Sequence, residues 1–330
     1  MRKGIVIWLL GILSVTSVVF LAFSEKSFAQ EPFPNKPINL LVGFPPGGVS
    51  DIAARSIVPE ATKLFGQPVV VLNKPGAGGT LAIDFVANSK PDGYTVINAG
   101  SSTLAYGMHT QGVNWGPKDF TVILGHTIYN YAVVVRADSP WKNFEEWVQY
   151  VRQNPGFKYG TYGALSTMHV MMEWIAKHLD LKLTPVHFTG DAPGLTNLLG
   201  GHIQAHLAAG GHAAHVKAGK LRTLLQMTGE PVDSDPKSVA RLKTAVPDAP
   251  MEVVGLPVGL FATKGIPDAI QMKLHDLFKK ATVENPEFIR PHQLMNMAVE
   301  YHSPKELQET LIKAYDGFGK LMKNLGLERK

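Results

Sequence analysis

INLLVGFPPGGVSD, at residues 38–51, carries the most structural information in this 330-residue chain. Its apolar first half is typical of a buried β-strand, and the Pro-Pro-Gly-Gly run that follows is typical of a turn leading into a helix. The two glycines let the main chain approach a ligand closely, and the first N–H groups of a helix lack partners within that helix. The segment therefore predicts a binding site for a negative group such as a carboxylate, with no catalytic residue required.

Length and composition favour two α/β lobes. A chain of 330 residues with 45% hydrophobic content can bury one large core or two modest ones, and typical domain sizes favour two. Short apolar runs alternate with helical patterns along the chain. This alternation is typical of βαβ units around a mainly parallel sheet.

Residues 1–29 are predicted to be a secretory signal peptide. Arg2 and Lys3 precede an apolar run, and Ser27-Phe28-Ala29 supplies small residues at cleavage spacing. An uncleaved membrane anchor is the competing interpretation, because the apolar run approaches the length that spans a bilayer. Cleavage after Ala29 would remove three basic residues and one acidic residue and lower the net charge from +5 to +3. We expect a soluble protein in the periplasm.

Charge and cysteine content exclude several classes of function. No segment clusters Lys and Arg with aromatic residues, so nucleic acid is not an expected partner. The chain contains no cysteine, which excludes disulfides, thiol catalysis, zinc-thiolate sites and a lipid-modified N-terminal cysteine.

Apolar extended runs predict most of the strands, and helical patterns separate many of them. The predicted strands are 38–43, 69–72, 94–98, 121–124, 132–135, 157–161, 183–187, 204–207, 221–227 and 257–262, and predicted helices include 80–88, 168–178, 267–283 and 304–325. Segments 132–135 and 257–260 are predicted to cross between lobes as a two-crossing hinge. This assigns residues 30–131 and 256–330 to lobe one and residues 132–255 to lobe two. The polar, proline-bearing segment 230–249 is predicted to be a long surface excursion.

Four motifs that contain glycine or proline follow one another along the first hundred residues. They are FPPGG at 44–48 with Asp51, GQPVVV at 66–71, NKPGAGG at 73–79 and PDGYT at 91–95. In this order and spacing, the chain resembles the substrate-binding receptors of tripartite tricarboxylate transporters, known as Bug receptors. The likeness continues through residues 192–193, 198–201 and 218–222, so it covers essentially the whole chain after the leader.

The resemblance implies a type II periplasmic binding protein fold, in which two α/β lobes close on a small organic carboxylate. It also implies delivery of that ligand to integral membrane transporter subunits, without catalysis or a cofactor. In such receptors one ligand carboxylate lies between the glycine loop after the first strand and a loop of the other lobe. These loops correspond here to residues 46–51 and 163–169, where Leu165 stands at a position that is commonly glycine in the family.

The candidate ligand-binding residues lie in these loops and near other predicted strand ends. They are Phe44, Pro46, Gly47, Gly48, Val49, Ser50, Asp51, Gly79, Ser101, Thr103, Ser166, Thr167 and Asp191. An organic carboxylate also needs an apolar wall, for which Phe44, Tyr106, Tyr129 and Tyr162 are candidates. His169 is expected to lie behind the residues that touch the ligand.

Two acidic residues among the candidates require separate interpretations. Asp51 would repel an anionic ligand, so we assign it the orientation of the glycine loop and of its waters rather than direct contact. Asp191 has two open interpretations. It either caps a helix, or it enters the cleft and favours a ligand with an ammonium or another donor group.

Metal binding and catalysis are the alternatives to a carboxylate receptor. His202 with His206, and His212 with His215, have spacings that a metal site can use. A strand at 204–207 would separate the first pair, and no acidic residue is close in sequence, so we predict no metal site. A secreted hydrolase is disfavoured because the chain lacks a Gly-x-Ser-x-Gly elbow. A monomer is expected, while a sensory co-receptor role and the ligand remain open among tricarboxylates, dicarboxylates, aromatic acids and amino acids.

Overall fold

The apolar runs form twelve strands in the computed structural model, which describes residues 33–327. They are β1 (Ile38–Val42), β2 (Val69–Asn73), β3 (Thr95–Gly100), β4 (Phe120–Ile128), β5 (Ala132–Arg136), β6 (Phe157–Tyr162), β7 (Leu183–Phe188), β8 (Ala205–Ala208), β9 (Leu221–Gln226), β10 (Ala240–Arg241), β11 (Pro257–Thr263) and β12 (Ala298–His302). The structure contains every predicted strand. The predicted signal peptide lies outside the described residues.

Helices follow most of the strands. They are α1 (Val49–Phe65), α2 (Thr80–Ala87), α3 (Ser101–Thr110), α4 (Phe144–Gln153), α5 (Thr167–His178), α6 (Asp191–Leu199), α7 (Ala213–Lys217), α8 (Leu242–Ala245), α9 (Asp268–Ala281), α10 (Pro286–Leu294) and α11 (Pro304–Leu325). Their starts follow capping chemistry: Ser303 and Glu306 form a capping box, and the Asn143 side chain accepts a hydrogen bond from the Glu146 N–H. No helix within residues 33–327 combines the length and apolarity needed to cross a membrane.

The strands form two mixed sheets of six strands each. The first has the order β12-β4-β11-β3-β1-β2, and the second has the order β10-β9-β5-β8-β6-β7. The prediction of a mainly parallel sheet holds for the second sheet, where β5 alone runs against the other strands. It fails for the first sheet, where β11 is antiparallel to both of its neighbours and β12 is antiparallel to β4. Both sheets belong to one compact unit that begins at Lys36.

The chain passes between the sheets beside the predicted crossing segments rather than within them. Segments 132–135 and 257–260 do not cross, because each pairs entirely within one sheet. The first connection is the short segment 129–131, between β4 and β5. It is held by hydrogen bonds from Tyr131 N–H to Thr228 Oγ1 at 2.8 Å and from Met227 N–H to the Tyr131 carbonyl at 2.8 Å.

The segment 230–249 is more ordered than the predicted surface excursion. It contains β10 and α8, and Val232, Leu242 and Val246 are buried. Burial of these three apolar side chains explains why a polar, proline-bearing segment packs against the second sheet. The sequence pattern also missed α10 and β12 near the end of the chain.

Candidate functional site

A cavity of about 300 Å³ lies where the carboxyl ends of strands from both sheets face each other. Its lining residues lie at the end of β6 or follow β1, β3, β4, β7 and β8, which is the position that ligands take in open α/β sheets. They are Phe44, Pro45, Pro46, Gly48, Val49, Ser50, Thr103, Tyr129, Tyr131, Tyr162, Gly190, Asp191, Ala192, Pro193, Thr196 and Ala209. None of these residues is Lys, Arg or His, so an anion in this cavity must be held by neutral donors.

The first turn of α1 supplies such donors. Gly47 adopts φ +79°, which suits glycine and lets the chain turn sharply from β1 into the helix. Gly48 is the N-cap and forms no side-chain cap, so the N–H groups of Val49 and Ser50 begin the helix without that partner. Because Gly48, Val49 and Ser50 all line the cavity, the positive end of the helix dipole lies at the cavity wall.

Asp51 organises this turn from outside the cavity. The residue is 2% exposed, and its carboxylate accepts hydrogen bonds from Gly47 N–H at 2.9 Å, Asn73 Nδ2 at 2.8 Å and Arg55 Nε at 2.9 Å. Burial alone would raise its pKa, but the bonds from Arg55, Gly47 and Asn73 lower the pKa below its usual value. Asn73 Nδ2 also donates to the Phe44 carbonyl at 3.0 Å, so one network holds both ends of the turn.

Tyrosine hydroxyls form the polar part of the cavity wall. Tyr129 OH and Ser50 Oγ lie 2.8 Å apart, and the Tyr129 and Tyr131 rings pack edge to face with centroids 5.9 Å apart. Burial raises the pKa of Tyr129 to about 12 and also raises the pKa values of Tyr131 and Tyr162. These hydroxyls therefore remain neutral at physiological pH and can donate to an anion.

Asp191 faces the cavity from the second sheet, at the start of α6. It is 7% exposed. Its Oδ1 accepts from His206 Nε2 at 3.0 Å and from Ala209 N–H at 3.2 Å, while its Oδ2 accepts from Gly211 N–H at 3.3 Å. The N-cap is Gly190 rather than Asp191. The capping interpretation is therefore corrected: the carboxylate bonds to main-chain amides after β8, not to its own helix.

The loop 163–169, predicted to hold the ligand from the other lobe, does not line the cavity. A Cβ built on Gly163 would lie 3.0 Å from Gly78 Cα, and one built on Gly78 would lie 3.7 Å from Ser166 Cβ, so this loop packs directly against the NKPGAGG loop. Ser166 is buried as the N-cap of α5, and Thr167 is buried behind it. The segment 190–193 forms the opposing wall instead.

Leu165 gives the 163–169 loop an unusual backbone. It adopts φ +56°, a conformation that glycine tolerates and leucine disfavours. Its N–H donates to His169 Nδ1 at 2.9 Å, and His169 Nε2 lies 3.5 Å from Glu173 Oε1. His169 thus supports the loop from behind.

Other predicted residues also lie away from the cavity lining. Gly47 and Asp51 shape the turn, as described above. Ser101 is fully buried and donates from Oγ to the Pro257 carbonyl at 2.6 Å, and Tyr106 donates to the Gly78 carbonyl at 2.6 Å. Gly79 lies beneath Phe44, since a Cβ built on it would meet the Phe44 ring at 3.2 Å. These residues pack between neighbouring loops in the structure, and their contact with a ligand stays a prediction.

Sequence reasoning missed several lining residues. Tyr131, Gly190, Ala192, Pro193 and Thr196 were not predicted to touch the ligand, although Ala192-Pro193 belongs to one of the matching motifs. Their position in the chain indicates a ligand site, because ligands bind beyond the carboxyl ends of strands. The segment 190–193 comes shortly after β7, and Tyr131 lies in the connection that follows β4.

The histidines do not form a metal centre within residues 33–327, where no group of three His, Asp or Glu side chains could hold a metal ion. His206 lies on β8, as the predicted strand required, and bonds Asp191. His212 is fully buried. Burial lowers its pKa to about 4, despite the opposing effect of nearby Asp191.

Known proteins resemble this chain over nearly its whole length. The model of the tripartite tricarboxylate transporter family receptor matches residues 53–327. A UPF0065 protein of Cupriavidus necator is 33% identical over 322 residues, which cover 97% of this chain and 96% of the relative.

Solved structures show the same fold. MatC from Rhodopseudomonas palustris, solved with bound malate, has a TM-score of 0.79 at 25% identity, covering 88% of this chain and 99% of MatC. The periplasmic binding protein BugD has a TM-score of 0.82 at 24% identity, covering 90% of this chain and 100% of BugD. These similarities confirm the predicted two-lobe α/β fold of periplasmic binding proteins.

Proposed function

Because the chain belongs to the tripartite tricarboxylate transporter receptor family, a family of solute-binding receptors rather than enzymes, we propose that it captures a small organic carboxylate. The ligand binds in the cavity between the two sheets and is then delivered to integral membrane transporter subunits. The observation that carries this proposal is the uncapped first turn of α1 at the cavity wall. The malate held by MatC supports a carboxylate as the class of ligand.

The ligand carboxylate lies against the N–H groups of Val49 and Ser50 in this proposal. Phe44, Pro46, Gly48 and Thr103 line the same side of the cavity. The helix dipole and free amides favour a negative group there without a cationic side chain. The Ser50 and Tyr129 hydroxyls add neutral donors.

Ligand capture stabilises contacts between the sheets. Phe44, after β1, already packs edge to face on Tyr162, at the end of β6, with ring centroids 5.7 Å apart. A Cβ built on Gly190 would lie 3.3 Å from Pro45 Cδ. A ligand that touches both walls favours this arrangement only through contacts that are lost when the walls separate.

The remaining parts of the proposal concern the location of the protein, its oligomeric state and the bounds of its two lobes. Residues 1–29 direct the chain to the periplasm, and the mature protein acts there as a monomer. Residues 30–131 with 256–330 form lobe one, and residues 132–255 form lobe two. The charge pattern of the leader and the passage of the chain between sheets at 129–131 support these assignments.

Titration calorimetry with mono-, di- and tricarboxylates tests the proposed function. Val49→Pro removes one N–H at the first helical position, where proline is well tolerated, and the extended Gly48 (φ −81°, ψ 168°) suits a following proline. We expect this variant to bind about 10–100-fold more weakly, because hydrogen bonds to charged groups contribute about 1.5–3 kcal/mol. Asp268→Pro, at the first position of α9 and not among the lining residues, is the matched control and should leave affinity unchanged. Equal affinity in wild type and Val49→Pro would reject the proposed carboxylate position.

A further inference from the structure

Asp191 places a negative charge in a cavity proposed to bind anions. Its carboxylate accepts the main-chain N–H groups of Ala209 and Gly211 after β8. Two converging amides of this kind would otherwise be available to an anionic group of a ligand. In this chain the protein's own carboxylate already occupies them.

The charge of Asp191 is not cancelled by its neighbours. His206 bonds it through Nε2, while His206 Nδ1 is buried without a partner. A protonated ring would bury an N–H without an acceptor, so the geometry fits a neutral imidazole that donates from Nε2. His212, close enough to interact electrostatically with Asp191, is fully buried with both ring nitrogens unpartnered, which also fits a neutral ring.

The second carboxylate oxygen retains accepting capacity. Oδ2 receives one long bond, from Gly211 N–H at 3.3 Å. A Cβ built on Gly211 would lie 2.7 Å from Asp191 Oδ2 and 3.6 Å from Val49 Cγ2. Asp191 and the first turn of α1 therefore border the same small volume, one repelling anions and the other attracting them.

We propose that Asp191 determines ligand specificity by rejecting a second carboxylate and accepting an ammonium group, so that the receptor selects amino-carboxylates over dicarboxylates. This inference rests on the proposed function, since it assumes that one ligand carboxylate binds at α1. A second carboxylate would meet Asp191 with like charge and would find the Ala209 and Gly211 amides occupied. An ammonium would instead form a charge-assisted hydrogen bond.

Two matched ligand series test the inference by calorimetry. Phenylalanine, 3-phenylpropionate and benzylmalonate differ only in the second substituent beside the carboxylate: ammonium, hydrogen or carboxylate. The second series, 4-aminobutyrate, butyrate and glutarate, varies the far end in the same way. In at least one series, the wild type should bind the amino compound at least tenfold more tightly than the dicarboxylate.

Asp191→Asn is the informative variant, because it removes the charge and keeps the shape. The side-chain oxygen can still accept from His206, while the new NH₂ group can donate to a ligand carboxylate. We expect the tenfold preference to disappear or reverse. Asp180→Asn is the control: Asp180 is exposed at φ +52°, a conformation that Asn also adopts readily, and this variant should retain the wild-type ranking.

The outcomes separate this inference from the proposed function. If wild type prefers the amino compound over the dicarboxylate by less than tenfold in both series, or if folded Asp191→Asn keeps the wild-type ranking, the inference is wrong and the carboxylate receptor stands. If no carboxylate in either series or in the wider panel binds wild type, the proposed function fails and the inference fails with it. Circular dichroism establishes whether Asp191→Asn is folded, and the wild-type ranking tests the inference even if it is not.

Discussion

Asp51 shows at the residue scale how a buried carboxylate can serve an anion site without touching the anion. It ties Gly47, Arg55 and Asn73 into one network behind the turn. Because it accepts the Gly47 N–H, it fixes the direction in which the first turn of α1 points. The sequence predicted this orienting role from charge alone, but the participation of Asn73 depends on the parallel pairing of β1 with β2 and could not be predicted.

Asp51→Ala should lower the free energy of unfolding at pH 7 by about 2–3 kcal/mol, because it leaves buried donors unpaired. The pKa of Asp51 is lowered in the folded state, so its contribution is present above the usual pKa of 3.8 and is lost as pH falls through the folded value. Urea unfolding at pH 7 and pH 3 measures both effects. Arg55→Gln, which changes only the half-exposed partner, should cost less than about 1 kcal/mol. An Asp51→Ala difference that grows on acidification would contradict the account.

At the element scale, the glycine turn between β1 and α1 contains two glycines with different roles. Gly47 needs its positive φ, and a Cβ there would meet no atom within 4 Å. Gly48 has ordinary helix N-cap angles, and a Cβ there would lie 3.5 Å from the Pro45 carbonyl oxygen, a normal contact. Gly47 is therefore required for the backbone conformation of the turn, whereas Gly48 shapes the cavity wall.

Gly47→Ala should reduce stability by about 1–2 kcal/mol through backbone strain alone. Gly48→Ala should change stability by less than about 0.5 kcal/mol, as substitutions without a special backbone requirement usually do, yet weaken ligand binding because its methyl group enters the cavity wall. Thermal unfolding and calorimetry on the two variants provide the comparison. The reverse pattern, with Gly48→Ala the less stable protein, would show that the roles are misassigned.

Local chemistry explains which elements were predictable. The box at Ser303-Pro304-Lys305-Glu306 defines the start of α11, and the β1 turn was recognised from its glycines. The direction of β11 and the wall formed by 190–193 could not be predicted, because strand direction and loop contacts depend on which distant segments pack together. The loop 163–169 had the right motif, but it packs on Gly78 rather than on the cavity.

At the scale of the whole molecule, buried histidines couple stability to pH. Burial lowers the pKa of His292 from 6.5 to about 4 and lowers that of His126 well below 6.5, with further lowering of the latter by His292 and His302. His126 bonds Asn98 Oδ1 at 2.8 Å, and Asn98 Nδ2 donates to the Ser50 carbonyl at 3.3 Å. Hydrogen bonds thus connect the buried His126 to the first turn of α1.

His292 should make the protein less stable as pH falls from 6.5 towards 4, because the unfolded state binds the proton more readily in that window. One such histidine contributes a slope of about 1.4 kcal/mol per pH unit within the window. His292→Gln should reduce the measured slope by up to that amount in urea unfolding between pH 7 and 4.5. The exposed His202→Gln serves as the control. An identical slope in wild type and His292→Gln would contradict the assignment.

Whether the first turn of α1 holds the ligand carboxylate can be seen in a crystal structure with the tightest-binding carboxylate of the panel. We expect a carboxylate oxygen within about 2.7–3.2 Å of the Val49 or Ser50 nitrogen, inside the cavity that Tyr129 and Asp191 also line. A ligand bound elsewhere, or oriented with its carboxylate away from those two amides, would contradict it.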